Sequence, residues 1–405
     1  MIYFIWAVFV NMAPFKIVTL DDMWDQMNRT VMYILCVTIA CFIDFGLIAG
    51  SPIKCIGFHE SFTREFAEDY CWTQGIYTIK EAYDVENSQI PYPGIIPEEV
   101  PPCLPGTRWD GVVVLCPEQG SPYIKPPTRV YHLWYQFVQF YFWAVSALFY
   151  LPYMIYSGMD IAYVKPLIKM LHNPVVTPYE MSYLIDKGAR WMRMRFDVYT
   201  EHSGSRGIFH RRNALLYTVL GTKLLYLFYT ISLMYATDSM FKVGSFLTYG
   251  IDWVGTRQSN DSIFTLPQDK LFPKIAACEI KRWGPTGMDY TRGMCVLTQN
   301  VSNSYLFLIF WFFLVLTIAG NVLGLSLTIF RTVYVRAGYH NLVSWILHDD
   351  PYTEKLFQRV GCSGRIVLLQ LAQNVHPNTF ERLVRRYRWL KRYEHVEYNG
   401  HLKVS

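Results

Sequence analysis

Recognisable catalytic and nucleotide-binding motifs are absent from this sequence. It holds no zinc-ligand spacing, no P-loop, no G-x-S-x-G and no paired metal-binding histidines. Its ten histidines are scattered among loops and tail, so no catalytic cluster is visible. Charge is scarce where apolar residues run longest, and only Asp44 and Lys223 fall inside such runs. A membrane enzyme keeps titratable groups on or near its spans, so these absences argue against an enzyme. No catalytic residue, metal, cofactor or nucleic-acid partner is expected. The opening stretch MIYFIWAVFVNM lacks a basic leading segment and a small-residue cleavage site, which excludes a signal peptide. It is also too short to cross a bilayer.

Long apolar runs are what the chain has instead. Four reach the ~20 residues that a bilayer-crossing helix needs, at about 31–50, 133–156, 214–236 and 305–330. None is cleanly amphipathic at the helical period, as expected where lipid and neighbouring helices are both apolar. Aromatic residues make up 17% of the chain and crowd toward the ends of the runs, the pattern of interfacial belts. The expected fold class is an all-α polytopic membrane protein with four transmembrane helices. A small disulfide-linked extracellular α+β region and a cytoplasmic helical region complete it.

Cysteine usage assigns the sides. Cys55, Cys71, Cys103 and Cys116 lie in residues 51–132, and Cys278 and Cys295 in residues 237–304. Thiol pairs persist as disulfides in an oxidising compartment, which puts both loops outside the cell. Lysine and arginine give the same answer independently. Residues 157–213 carry nine and residues 331–405 twelve, whereas the two cysteine loops hold thirteen against seventeen Asp and Glu. Positive-inside logic places segment 1–30, the middle loop 157–213 and the tail 331–405 in the cytoplasm. Asp21, Asp22 and Asp25 precede the first run, and Thr19 or Asp21 reads as the cap of its helix.

The second half of the first loop is proline-dense from Pro91 to Pro127 and reads as a rigid excursion, not helix or central strand. A Cys103–Cys116 bridge there would close a short ring worth about 3 kcal/mol in the loop-entropy model. Six loop cysteines allow many pairings, and spacing alone does not choose among them. Asn260 heads a sequon and is the candidate glycosylation site, whereas Asn300 lies too near the fourth run and Asn28 on the cytoplasmic side. In the tail, Ile366, Leu368, Leu369 and Leu371, then Phe380, Leu383 and Val384, predict two amphipathic helices broken near Pro377. The run Arg385, Arg386, Arg388, Lys391, Arg392 reads as a solvated helical face, or as a contact for anionic membrane lipid.

A charge inside a bilayer faces a partner or water. Counted at ~1.5 Å per residue, Asp44 and Lys223 sit about 21 and 14 Å from the inner edge, within reach if their helices are neighbours. One reading is a structural Asp44–Lys223 ion pair. The other puts Asp44 on a pore wall, attracting cations.

Local strings then carry a family resemblance. Ser51-Pro52-Ile53-Lys54-Cys55-Ile56 leads to Tyr70-Cys71-Trp72. Phe246-Leu247-Thr248-Tyr249-Gly250 is followed by Phe272-Pro273-Lys274, Cys278, Gly284-Pro285 and Cys295-Val296-Leu297, and the tail adds Gly364 to Arg386. Over about residues 15–390 the chain resembles an innexin, the invertebrate gap-junction family related to pannexins. The resemblance implies a plasma-membrane subunit of a gap-junction channel or hemichannel passing ions and small molecules. It implies a homo-oligomeric ring, eight-fold in the family and open to mixing with other innexins, that docks to an apposed ring on a neighbouring cell. It further implies a pore lined by the first span and the N-terminal segment, with Ile2, Phe4, Ile5 and Asp44 as lining candidates. An apolar constriction at the inner mouth would gate by dewetting. Disulfides are implied from Cys55 and Cys71 to Cys278 and Cys295, leaving Cys103 with Cys116.

Two departures stand out. The family's Tyr-Tyr-Gln-Trp-Val and following proline read here Trp134-Tyr135-Gln136-Phe137-Val138-Gln139, without the proline that would kink the helix. The Cys103 and Cys116 pair looks like an insertion that would alter or prevent docking. The competing reading is a non-conducting four-span adhesion or scaffold protein.

Overall fold

The computed structural model describes residues 22–58, 62–83, 92–95, 128–158, 161–172, 177–196, 214–258, 267–284, 287–346 and 351–401. Helix α1 (Met23–Ile48) is followed by β1 (Lys54–Ile56), α2 (Arg64–Gln74), β2 (Ile76–Ile79) and β3 (Arg129–His132). Next come α3 (Val138–Gly158), α4 (Ile161–Leu171), α5 (Pro178–Phe196), α6 (Ala214–Met240), α7 (Tyr249–Gln258) and α8 (Pro267–Leu271). The hairpin β4 (Ile275–Gly284) and β5 (Gly287–Val296) leads into α9 (Thr298–Val333). Helices α10 (Val335–Val343), α11 (Pro351–Arg359), α12 (Cys362–Asn374) and α13 (Pro377–His401) follow.

Helices α1, α3, α6 and α9 are long and apolar enough to cross a membrane. They leave Phe140, Phe228 and Leu323 at 63%, 71% and 52% exposure. Such surface suits lipid, where apolar side chains need no burial. At ~1.5 Å per residue, the 36 residues of α9 reach about 54 Å, well beyond the ~30 Å hydrocarbon core. Helix α1 begins at Met23 after Asp22, and Thr19 and Asp21 lie outside the described residues. Within it, Met27–Met32 is π-helical. The fold is thus mostly helical, with four membrane-capable helices, a small disulfide-bearing sheet and a helical C-terminal region.

The chain folds as two compact units, one of which comprises Met32–Ala147 and Tyr229–Leu316. Its sheet has the order β1-β5-β4-β2-β3, antiparallel throughout, so the second-loop hairpin sits between strands of the first loop. Ala276, Cys278 and Ile280 bury the same face of β4 at the two-residue period of a strand. They share one core with Ala67 and Cys71 of α2. Thr63 caps α2 by accepting from the Phe66 N–H. Gly75 ends it at φ +94°, where a Cβ would also meet Leu133 at 2.8 Å, so only glycine makes the turn into β2.

His132 is buried in this sheet, its Nε2 2.7 Å from Thr78 Oγ1. Burial, and secondarily the Lys242 charge, push its pKa from 6.5 down to about 4. As pH falls, the unfolded chain takes up this proton before the folded one. The group's contribution is therefore complete above pH 6.5 and lost on acidification toward pH 4. The expected loss is roughly 3 kcal/mol, read as a falling unfolding temperature across that window that His132→Gln flattens.

The other unit comprises the start of α1, Leu148–Phe228 and the chain from Thr317 onward. Its core joins Ile168 of α4, Met192 of α5, Phe357 of α11, Leu368 of α12 and Leu383 of α13. Helix α13 starts at Pro377, whose missing N–H is no loss in a first turn. Its Leu383 side chain lies 3.1 Å from the point a Cβ on Gly188 would occupy, so that glycine lets α13 close on α5. Arg386 then pairs with Asp186 at 2.7 Å.

Candidate functional site

The two cysteine loops are covalently one body. Cys55 is bonded to Cys295 across paired strands β1 and β5, and Cys71 to Cys278, tying α2 to β4. The bridges span 240 and 207 residues of chain, and all four sulfur-bearing residues are buried in the core of the sheet. Cys103, Cys116 and Asn260 lie outside the described residues, as do Ile2, Phe4 and Ile5.

Two strings that stood apart in sequence meet here. The carbonyl of Trp72 falls in the last turn of α2, where it has no intrahelical donor. Gln136 Nε2 donates to it, and Tyr135 OH donates at 3.3 Å. The Tyr135 ring packs 4.6 Å from that of Trp72. Trp134 sets its edge against Phe241 and Phe272, Val138 is fully buried, and Phe137 is exposed. The opening of α3 thus holds the Tyr70-Cys71-Trp72 segment in place. Gln136→Ala is expected to cost about 1 kcal/mol and Gln136→Glu about 2–3, since the carboxylate turns an acceptor toward an acceptor. Thermal unfolding of the purified protein would rank them; equal losses would remove the donor role.

The charges in the long helices do not pair as one reading had it. Lys223, 4% exposed, binds Asp25 Oδ2 at 2.7 Å and Asp22 Oδ2 at 2.9 Å, while Asp44 accepts from Trp143 Nε1 at 3.1 Å. The expected Asp44–Lys223 pair is therefore corrected. Counting helical rise gives a height, not a facing direction. Asp22 and Asp25, three residues apart, share one face at the start of α1 and offer the ammonium two carboxylates. Around this triad Thr328 donates to Asp22 at 3.3 Å, and the amides of Asn28 and Asn321 bond each other at 2.6 and 3.3 Å. The Trp24 ring lies where a Cβ on Gly320 or Gly324 would stand, 2.2 and 3.0 Å away. Gly320-x-x-x-Gly324 is the small-residue step of close helix contacts in membranes, a signal present in the sequence itself.

The innexin family model matches residues 21–388. The chain belongs to the innexin family. It is 24% identical to Innexin inx2 of Schistocerca americana over 370 residues, 91% of this chain and 92% of that protein. Innexin inx2 of Drosophila melanogaster is 23% identical over 375 residues, 91% of this chain and 90% of its own. Innexin shaking-B of the same species is 23% identical over 337 residues, 80% and 77% of the two chains. Innexins are membrane channel proteins, not enzymes, and form oligomeric gap-junction channels. In this innexin the chemistry is accordingly that of a built surface and a set of buried polar ties.

Proposed function

We propose that this innexin is the subunit of a closed ring around an aqueous pore, acting as a gap junction or as an unpaired hemichannel. Four helices cannot enclose a wide path, so several copies close by cyclic symmetry, eight-fold as in the family and open to mixing with other innexins. Both cysteine loops face outside at the plasma membrane and both termini lie in the cytoplasm. The first span and the N-terminal segment line the pore, with Asp44 on its wall and Ile2, Phe4 and Ile5 at its inner mouth.

The observation that carries this reading is the single sheet woven from both loops and closed by two buried disulfides. Docking to an apposed ring needs a surface that holds its shape, and two loops free to move would not supply one. A Cys103–Cys116 ring, or a glycan on Asn260, would oppose close apposition and favour hemichannel use.

Dye uptake and single-channel current in cells expressing this chain alone test the proposal. Rings delivered to the surface without either would sink it and leave a non-conducting adhesion scaffold. Paired-cell coupling separates junction from hemichannel. Asp44→Asn keeps an acceptor for Trp143 while removing the charge. The cation preference read from the reversal potential in a salt gradient should then fall by up to about fivefold, the equivalent of the charge's ~1 kcal/mol or less in water. An unchanged reversal potential would take Asp44 off the pore wall.

A further inference from the structure

We infer that Lys223 is a positioning residue for conduction: its clamp on Asp22 and Asp25 sets where the N-terminal segment leaves the membrane-spanning helices. The inference rests on the reading that this segment reaches the pore.

The first turns of α1 are held at several independent points within one unit. Lys223 of α6 takes both carboxylates, and Asn321 of α9 takes the Asn28 amide. Trp24 seats on the Gly320–Gly324 notch of α9, and Asn28 Nδ2 also donates to the Trp24 carbonyl at 2.8 Å. On α3, the ring of Tyr153 carries the Arg29 guanidinium at 4.2 Å. The start of α1 is thus positioned by these ties acting together, and residues 1–21 are joined to it directly at Asp22. The π-helical turn Met27–Met32 carries two of these ties, Asn28 and Arg29. Apolar packing alone would have anchored this helix. A buried ammonium within reach of two carboxylates adds a fixed point, because both contacts must be met from one nitrogen.

Residues 1–21 continue the chain from this clamped start. Loosening it should change what each channel passes, not only how many channels exist.

Lys223→Met tests this cleanly, since an apolar side chain of similar length suits the interior and the half-exposed Asp22 keeps access to water. Unitary conductance and the size cut-off for dyes should change at least twofold per channel, at matched surface amounts of assembled ring. Lys223→Arg should restore wild-type behaviour. Asn321→Leu cuts a second tie without stranding a charge and carries the same expectation. Both variants conducting as wild type would overturn the inference, and so would loss of surface rings in both, which marks a purely structural role. A wild-type chain that conducts nothing would instead sink the proposed function, so the two failures are told apart.

Discussion

Replacing Cys71 and Cys278 together by serine is expected to cut surface delivery of this innexin at least tenfold. With Cys55–Cys295 intact, the bridge closes the ring through residues 55–71 and 278–295, which in the loop-entropy model is worth about 4 kcal/mol. A folded domain typically has about 5–15 kcal/mol in total, so a small sheet that loses this bridge falls near its threshold. The companion bridge should matter less. Cys55 and Cys295 stand opposite each other on paired strands, so ladder hydrogen bonds still hold that register when the sulfurs are gone. Cys71–Cys278 is the covalent tie between α2 and β4. Removing Cys55 and Cys295 should therefore leave a measurable surface population. Surface biotinylation against total protein, with mobility on non-reducing gels, reads both outcomes. Normal delivery of the Cys71/Cys278 variant would refute the role given to the bridge.

The second large effect is expected at Arg365. Its guanidinium donates to the Thr332 carbonyl at 2.8 Å, the Phe357 carbonyl at 3.2 Å and the Gln358 carbonyl at 3.5 Å. These carbonyls end α9 and α11, where helices leave four acceptors without intrahelical donors. One side chain so completes two helix ends and fixes the tail beneath α9. Gly338 shows how tight the junction is, since a Cβ there would lie 2.2 Å from the Arg331 carbonyl oxygen. Arg365→Ala leaves three carbonyls to find other donors and should cost about 3 kcal/mol or more. At the usual scaling for a unit of this size, that lowers the unfolding temperature by roughly 5–10 °C. Arg365→Lys should recover only part of the loss, because an ammonium is a point donor and cannot fork. Thermal unfolding in detergent compares the three proteins; equal stability of alanine and lysine variants would indicate packing, not carbonyl capping.

How far each feature was legible differs by physical cause. The four long helices followed from apolar run length, because a bilayer core admits little besides a helix of about twenty apolar residues. The tail helices broken at Pro377 followed from apolar period and from proline's missing donor. The family was visible in short strings around the cysteines, which the match over residues 21–388 bears out. The sheet was only expected in outline. Its order is not legible along the chain, since β4 pairs with β2 through Tyr77 and Ala277, 200 residues apart. Nor did any local pattern announce that Gln136 would complete the helix end at Trp72.

The intramembrane charges mark the boundary most sharply. Sequence alone determined that Lys223 sits in an apolar run and must therefore have a partner or water, because an isolated ammonium in hydrocarbon is too costly. It offered Asp44 as the acid at plausible depth and set Asp22 and Asp25 only before the first run. Only the tertiary structure decided among them, giving Lys223 to Asp25 and Asp22 and Asp44 to Trp143. The reason is geometric. A residue's depth depends on the rise along its own helix, which composition and length reveal. Its partner depends on the rotation of two helices about their axes, and that is set by side chains such as Trp24 and glycines such as Gly320 and Gly324, which meet only when the chain has folded.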